Sequence, residues 1–516
     1  MKMKIPCKPL AATLTLLVSG CMVGPDYHRP PVAVPATFRE TPSGWTQAEP
    51  AAAAPKGDWW TGFNDPLLNE LEPMVVVSNQ TVRQDYANYQ EALAEVRVAR
   101  AALFPTIGVT GSATRARSST GSLSTSTSSF QRVNNSGSLE GDLSWEIDVW
   151  GQVRRTIEEN AATAQASEAT LANATLSEQI ALATAVIELR TSDANIDLFQ
   201  QTVTAYQHYL KVIADQDRAG TVAPSDLITA RTQLETAQSN LIALGVARAQ
   251  YAHAIAVLVG KNPEDLDIPH STTMPTLPSI PVGVPSTLLE RRPDIATAER
   301  QMAAQNAAIG VAVAAYYPTI SLSALDGFTQ SPLSGLLHVA NYVWSLGGTA
   351  SETIFDGGER SGEVAAAKAG YDAALANYRG TVLTAFEDVE NDLSGLRILA
   401  QQSDTLQTAV KDSIRGTEIA FNEYQAGTVD YTTVATAQAA QLTNQQSALS
   451  VQEQRLADAA SLIGDLGGGW SASNLHDARH PESAARAASE ALAGSAASEA
   501  TAAASTGNAA SSPATP

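Results

Sequence analysis

The chain of 516 residues has only two cysteines, only 6% aromatic residues, and 32 lysines and arginines against 53 aspartates and glutamates. A formal net charge of −21 argues against nucleic-acid binding, which needs a basic face to displace counterions. The 44% hydrophobic content is near the globular average but is largely alanine, so the chain can pack closely without a thick core. No glycine-rich phosphate loop ending in Gly-Lys-Ser/Thr is present, nor Gly-x-Ser-x-Gly, nor His-Glu-x-x-His. These gaps argue against an enzyme. The seven histidines are scattered, and the one close pair, His476 and His480, lies in a low-complexity tail, so no metal site is expected. The cluster Glu387, Asp388, Glu390 and Asp392 reads as a solvated helix face. Beyond residue 20 there is no run of about 18 apolar residues, so any bilayer crossing is expected to use strands.

The N-terminus names a compartment. Lys2, Lys4 and Lys8 precede an apolar stretch, then Val18-Ser19-Gly20-Cys21, the pattern of a secretory signal with a lipobox. Cleavage before Cys21 removes Cys7 and the three lysines, taking the net charge from −21 to −24 and leaving Cys21 as the lipid carrier. No intramolecular disulfide is then available. Several acyl chains on one residue would anchor the protein stably to a leaflet. Met22, in place of aspartate, favours outer-membrane sorting by resemblance to bacterial lipoproteins.

The chain repeats itself weakly. Phe104-Pro105-Thr106-Ile107 returns as Tyr317-Pro318-Thr319-Ile320, and Ala219-Gly220-Thr221-Val222 as Ala426-Gly427-Thr428-Val429. Each half reads as a helix ending at proline, a strand pair, a long helix to the Ala-Gly-Thr-Val turn, and a shorter returning helix. From Ser138 to Val149, apolar Leu139, Leu143, Trp145, Ile147 and Val149 alternate with Ser138, Glu140, Asp142, Ser144, Glu146 and Asp148. That period of two suits a membrane strand with a wet acidic side, or an edge strand of a soluble sandwich. Its partner is Thr106 to Thr114. A second pair is expected at Thr319 to Phe328 and Trp344 to Phe355. Four strands cannot close a barrel in one chain, and open edges are not tolerated in lipid. A membrane barrel must therefore be shared between chains.

Gln152 to Ala219 contains neither glycine nor proline and would reach roughly 100 Å as a helix. Leu176, Ile180, Ala183 and Ile187 form one packing stripe, and Val382, Phe386, Val389, Leu393 and Leu396 another. Returning helices are expected from Ser225 to Gly260 and Tyr431 to Ile463. The expected organisation is a signal peptide (1–20), an extended N-terminal segment (21–65), a first repeat (66–260), a proline-rich connector (261–285), a second repeat (286–466) and a disordered Ala/Ser-rich tail (467–516).

Taken in order, several short stretches resemble a known family. They are Cys21-Met22-Val23-Gly24-Pro25-Asp26-Tyr27, Asp58-Trp59-Trp60, Phe63-Asn64-Asp65-Pro66-Leu67, Arg100 to Pro105, Trp145 to Gly151, Leu288 to Ile295, and Ile354-Phe355-Asp356-Gly357-Gly358. The chain is similar to the NodT-like outer-membrane channel lipoproteins, related to the TolC and OprM channels of tripartite efflux systems. The resemblance implies a homotrimer in which each chain adds four strands to one membrane β-barrel and long helices to a periplasmic α-helical barrel. It also implies a periplasmic adaptor (membrane fusion protein) and an inner-membrane pump, most often of the RND class, with no cofactor beyond the lipid on Cys21. The chain would be a gated passive conduit. A structural or adhesive surface lipoprotein, a lipid-anchored hydrolase, or a channel for type I secretion or metal efflux are the competing readings.

By the same resemblance, Gly220, Thr221 and Val222 with Gly427, Thr428 and Val429 are the tips that meet the adaptor. Tyr424 and Asp226 match a pair that holds the tip closed in relatives. A carboxylate common after the second tip is replaced by Thr436, and a leucine by Thr432. Asp430 is then the nearest carboxylate, and a hydroxyl-lined, less cation-selective gate is expected. Thr353 stands where a proline is common.

Overall fold

The computed structural model describes residues 22–40, 58–117, 133–280, 285–331, 333 and 335–489. Cys21, the expected signal segment 1–20 and the stretch 490–516 of the expected tail lie outside the described residues. Seven long helices and four strands carry the architecture: α1 (Pro66–Ser78), α2 (Gln80–Ala101), β1 (Thr106–Arg117), β2 (Val133–Glu146), α3 (Gln152–Arg218), α4 (Pro224–Leu258), α5 (Pro293–Ala314), β3 (Thr319–Gln330), β4 (Tyr342–Ser351), α6 (Glu359–Gln425) and α7 (Tyr431–Asp465). The duplication is metrically close. α2 and α5 have 22 residues each, α3 and α6 have 67, and α4 and α7 have 35. Both long helices start after a glycine with positive φ, Gly151 (84°) and Gly358 (98°), a conformation that a Cβ disfavours.

The strands form one antiparallel sheet in the order β1-β2-β3-β4. Register fixes what each face carries. Ile107 pairs with Leu143, Leu143 with Ala324, and Ala324 with Leu346, so these four share one face. Val109, Phe328, Tyr342 and Trp344 share it too, and Ile107, Val109, Trp344 and Leu346 are each at least 70% exposed. Asp326 also falls on this face, held by the Tyr342 hydroxyl. The opposite face carries Thr110, Ser138, Glu140, Asp142, Ser144 and Glu146. Observed strand ends differ from the expected ones. β2 starts earlier and stops at Glu146, because Asp148 turns back to accept from the Val153 and Arg154 amides at the start of α3. β4 runs from Tyr342 to Ser351 and leaves Ile354 and Phe355 almost fully exposed beyond the sheet.

The helices form a curved wall. α3 packs on α4 and α7, and α7 on α6, giving the lateral order α4-α3-α7-α6. Nearer the sheet, α2 and α5 fill the places of α4 and α7. Alanines make this approach possible: Ala162, Ala303 and Ala304 pack together, and Gly310 leaves room for the Arg155 side chain. Both expected stripes are buried, with Ile180 and Phe386 partly so. The main core gathers Trp59, Trp60 and Phe63 with α1, the middles of α3 and α6 and the last turns of α7. Burying that much apolar area between the halves, at about 25 cal/mol per Å², is the main stabilising contribution.

One helix needs separate notice, and two expectations need correction. α4 is, by length and composition, apolar enough to cross a bilayer, although little of that stretch is buried within the chain. It is an edge helix of the wall, with Ile228, Ile242, Val246 and Val257 exposed along it. The acidic cluster on α6 is largely engaged: Glu390 accepts from the Arg39 and Glu40 amides at 2.7 and 2.9 Å, and Asp388 faces Arg292 at 3.3 Å. Asp392 lies against Asp465, and Glu387 alone of the four is exposed. The tail, expected to be disordered from 467, is ordered through 489. His476 binds Glu168 through its backbone amide and its ring, and buried Ala478 and Ala484 pack on Tyr89, Leu93 and Val96.

The N-terminal segment 22–40 is strapped along the helices. Buried Arg155 binds the Val23 and Gly24 carbonyls and Asp26, while the Tyr27 hydroxyl donates to Glu299 at 2.5 Å. Arg29 reaches the Tyr378 hydroxyl, and Arg397 pairs with Glu40. Met22 sits against Gly151 at the junction of sheet and α3.

Candidate gate and docking tips

The end of the helical wall farthest from the sheet is built from two matching turns. At the end of α3, the Gly220 amide donates to the Asp217 carbonyl at 2.9 Å and the Thr221 amide to the Gln216 carbonyl at 3.0 Å. At the end of α6, Gly427 donates to Tyr424 at 2.9 Å and Thr428 to Glu423 at 3.0 Å. These are paired 5→2 and 6→1 bonds that satisfy the last helical carbonyls, and they require a left-handed residue between helices. Gly220 (φ 72°) and Gly427 (φ 74°) supply it. Each threonine hydroxyl donates again to the same carbonyl that its amide uses. Thr221 and Thr428 are exposed at the apex, while Val222 and Val429 are half-buried against a cluster under the turns.

That cluster joins Ile213, Ala230, Ala420, Tyr424, Tyr431, Val434 and Ala435. The Tyr424 and Tyr431 rings meet edge to face, 5.6 Å between centroids. Each hydroxyl crosses to the other half of the chain: Tyr424 donates to Gln216 Oε1 at 3.0 Å and Tyr431 to Gln233 Oε1 at 2.9 Å. Gln233 in turn donates to the Ala435 carbonyl at 3.3 Å. The two helix hairpins are therefore latched by tyrosine–glutamine bonds.

Asp226 stands in the first turn of α4. Loss of hydration raises its pKa, and the negative charge of Asp430 raises it further. Burial lifts the Tyr424 hydroxyl as well, with Asp226 adding to the shift. Asp226 thus feels the charge of Asp430, and Tyr424 that of Asp226, although the hydrogen bond of Tyr424 goes to Gln216. Thr432 and Thr436 are exposed one turn apart on α7, and the Thr436 hydroxyl donates to the Thr432 carbonyl at 2.8 Å. Among the described residues, no group of three or more His, Cys, Asp or Glu is placed to hold a metal.

Sequence reasoning missed Gln216, Gln233 and Tyr431. A signal was available in the departures from the repeat. The long helices begin at Gln152 and Glu359, and at that offset of 207 positions Gln216 faces Glu423 and Gln233 faces Ala440. The Ala-Gly-Thr-Val turns are kept in both halves while the latch residues are not.

Residues 73–261 and 284–468 match the model of the outer membrane efflux protein family. The solvent efflux pump outer membrane protein SrpC of Pseudomonas putida is 32% identical, over 91% of this chain and 100% of the relative. The outer membrane protein OprJ of Pseudomonas aeruginosa is 28% identical, over 91% and 97%. Among solved structures, the outer-membrane channel OprN superposes with a TM-score of 0.79 at 28% identity, covering 87% of this chain and all of that one. The open state of the MtrE outer membrane channel of Neisseria gonorrhoeae gives 0.76 at 26% identity, covering 87% and 98%. With both repeats matched and the fold shared end to end, the chain belongs to the outer membrane efflux protein family.

Proposed function

We propose that this chain is the channel subunit of a tripartite efflux pump, working as a homotrimer that passively carries small molecules across the outer membrane. The observation that carries this is that both layers of the molecule are open at both sides. Among the described residues the sheet ends in β1 and β4, neither paired on its outer edge, and the helix wall ends in α4 and α6. Each edge helix exposes aliphatic side chains: Ile228, Ile242, Val246 and Val257 on α4, and Leu383, Ile398 and Ile419 on α6. Unpaired strand edges are not tolerated in lipid, so further copies must close the ring. The same operation would join α6 of one copy to α4 of the next.

In that assembly the apolar sheet face meets lipid and the face with Glu140 and Asp142 lines the lumen. The glycine turns at Thr221 and Thr428 would meet a periplasmic adaptor, itself docked to an inner-membrane pump of the RND class that supplies the energy. Tyr424, Asp226 and Asp430 would regulate opening, with the exposed Thr432 and Thr436 lining the constriction by hydroxyls. Cargo would be of the solvent and antibiotic kinds for which relatives are named. The channel would perform no covalent chemistry and need no cofactor.

Lipidation at Cys21 fits the strap: Met22, one residue on, lies at the sheet–helix junction, where its Val23 amide donates to the Trp150 carbonyl at 3.1 Å. A single residue spans about 3.8 Å, so a lipid on Cys21 would start beside the leaflet. The shared ring is tested by oxidative cross-linking of Val109→Cys with Leu346→Cys, exposed on β1 and β4. The proposal expects a covalent trimer on gels. Cross-links confined to dimers, or none while the protein remains folded, would count against it.

A further inference from the structure

Where α2 runs into β1, a cleft of about 670 Å³ opens between the helix end and the ordered tail. Arg97, Arg100 and Phe104 form one wall, and His480 and Glu482 the other. The cations here are largely uncommitted. Arg97 is exposed and makes no hydrogen bond or ion pair among the described residues, and Arg100 gives one bond, Nη1 to the Arg479 carbonyl at 2.8 Å. In a chain with net charge −21, unpaired guanidinium groups side by side are a local exception.

The surroundings show what such a cleft could hold. Thr106, the first residue of β1, follows Arg100 by only six positions, so the arginines lie at the periplasmic rim of the membrane sheet. Val98 is 66% exposed and Phe104 67%, and the apolar surface continues up the strand through Ile107 and Val109, both 77% exposed. Cationic forks below a ribbon of apolar side chains match a molecule with a phosphate head and hydrocarbon tails. Guanidinium is the side chain suited to bidentate phosphate binding.

We propose that this cleft binds the headgroup phosphate of a glycerophospholipid from the periplasm-facing leaflet, held by Arg97 and Arg100, with its acyl chains along Phe104, Ile107 and Val109. Glu482, the carboxylate in the lining, would meet the ammonium of an ethanolamine head. The ordered tail then has a use, since it completes the site. The inference needs the sheet to lie in the bilayer but does not depend on which pump or cargo the channel serves.

The test compares full-length protein with Arg97→Gln/Arg100→Gln, each reconstituted in phosphatidylethanolamine–phosphatidylglycerol vesicles, re-extracted in detergent and analysed by native mass spectrometry. The wild type should retain phospholipid adducts, and the double variant should bind them about ten-fold more weakly, as loss of charge-assisted bonds implies. Arg97→Lys/Arg100→Lys, which keeps charge without the planar fork, should fall between. Arg115→Gln, near the far end of β1, should leave retention unchanged. Bilayer conductance, measured in parallel, should be the same for all, which separates this inference from the channel reading. Equal lipid retention by the wild type and the double variant would overturn the proposal. So would adducts with inorganic phosphate but none with phospholipid.

Discussion

Asp392→Asn should stabilise the protein above neutral pH and leave it nearly unchanged in acid. Asp392, on α6, lies against Asp465 of α7, with Asp388 and Asp458 nearby, and its Oδ2 is buried with no hydrogen-bond partner among the described residues. Arg292 binds Asp465 and Asp388 at 3.1 and 3.3 Å, and among the described residues it forms no ion pair with Asp392. Burial first, then the Asp465 carboxyl, pushes the Asp392 pKa up to about 8, and burial raises Asp465 too. The unfolded carboxyl titrates near its ordinary value of 3.8, so between about pH 4 and 8 the folded chain holds a proton that the unfolded chain has lost. Stability from this site is therefore full below pH 4 and falls as pH rises toward 8. Four pKa units at about 1.4 kcal/mol each set a ceiling near 6 kcal/mol, and partial exposure and the shared proton reduce this to about 2–3 kcal/mol. Asparagine keeps a donor toward Asp465 and carries no charge. Thermal melting of helical circular dichroism should show Asp392→Asn level with wild type at pH 4.5 and ahead by about 2–5 °C at pH 8.5. A variant that melts lower than wild type at pH 8.5, or keeps the wild-type slope with pH, would refute the reasoning.

Tyr424→Phe removes the bond to Gln216 while keeping the ring contact with Tyr431, so mean single-channel conductance should rise, with a stability loss of about 1 kcal/mol in denaturant titrations. Gly220→Ala and Gly427→Ala each place a Cβ at positive φ with nothing within 4 Å to clash, so each should cost only backbone strain, about 1 kcal/mol. Asparagine at either position, which tolerates that conformation better, should cost less in the same melts. Thr436→Asp should raise cation selectivity and confer block by divalent cations, read as a shift in reversal potential across a salt gradient. Strong cation selectivity and divalent block in the wild type, lost on changing Thr436 to alanine, would mean that the hydroxyl gate was misjudged.

The duplicated plan was legible because its signals are local and repeated. The prolines before β1 and β3, the alternation through Glu140 and Asp142, and the Gly-Thr-Val turns each report their own backbone. What escaped depended on distant partners. Ala478 and Ala484 bury little area each, and what orders that segment is distant contact, with Tyr89 and Leu93 of α2 and with Glu168 of α3. Glu390 looks like a surface acid until the amides of Arg39 and Glu40 arrive from 350 residues away. The latch was half visible: Tyr424 stood out by resemblance, but its acceptor Gln216 is one of many glutamines on a polar helix, and only the fold selects it. α4 shows the reverse case, a helix whose apolar composition alone suggests a membrane crossing but which the fold places at the edge of a wall.

Conductance of the purified protein in a planar bilayer, with no adaptor, pump or energy source present, tests the central claim most directly. The trimer should insert and carry ohmic current of constant unit size, and Tyr424→Phe should open it further. A folded protein that stays monomeric in detergent and leaves the bilayer nonconducting would contradict the channel.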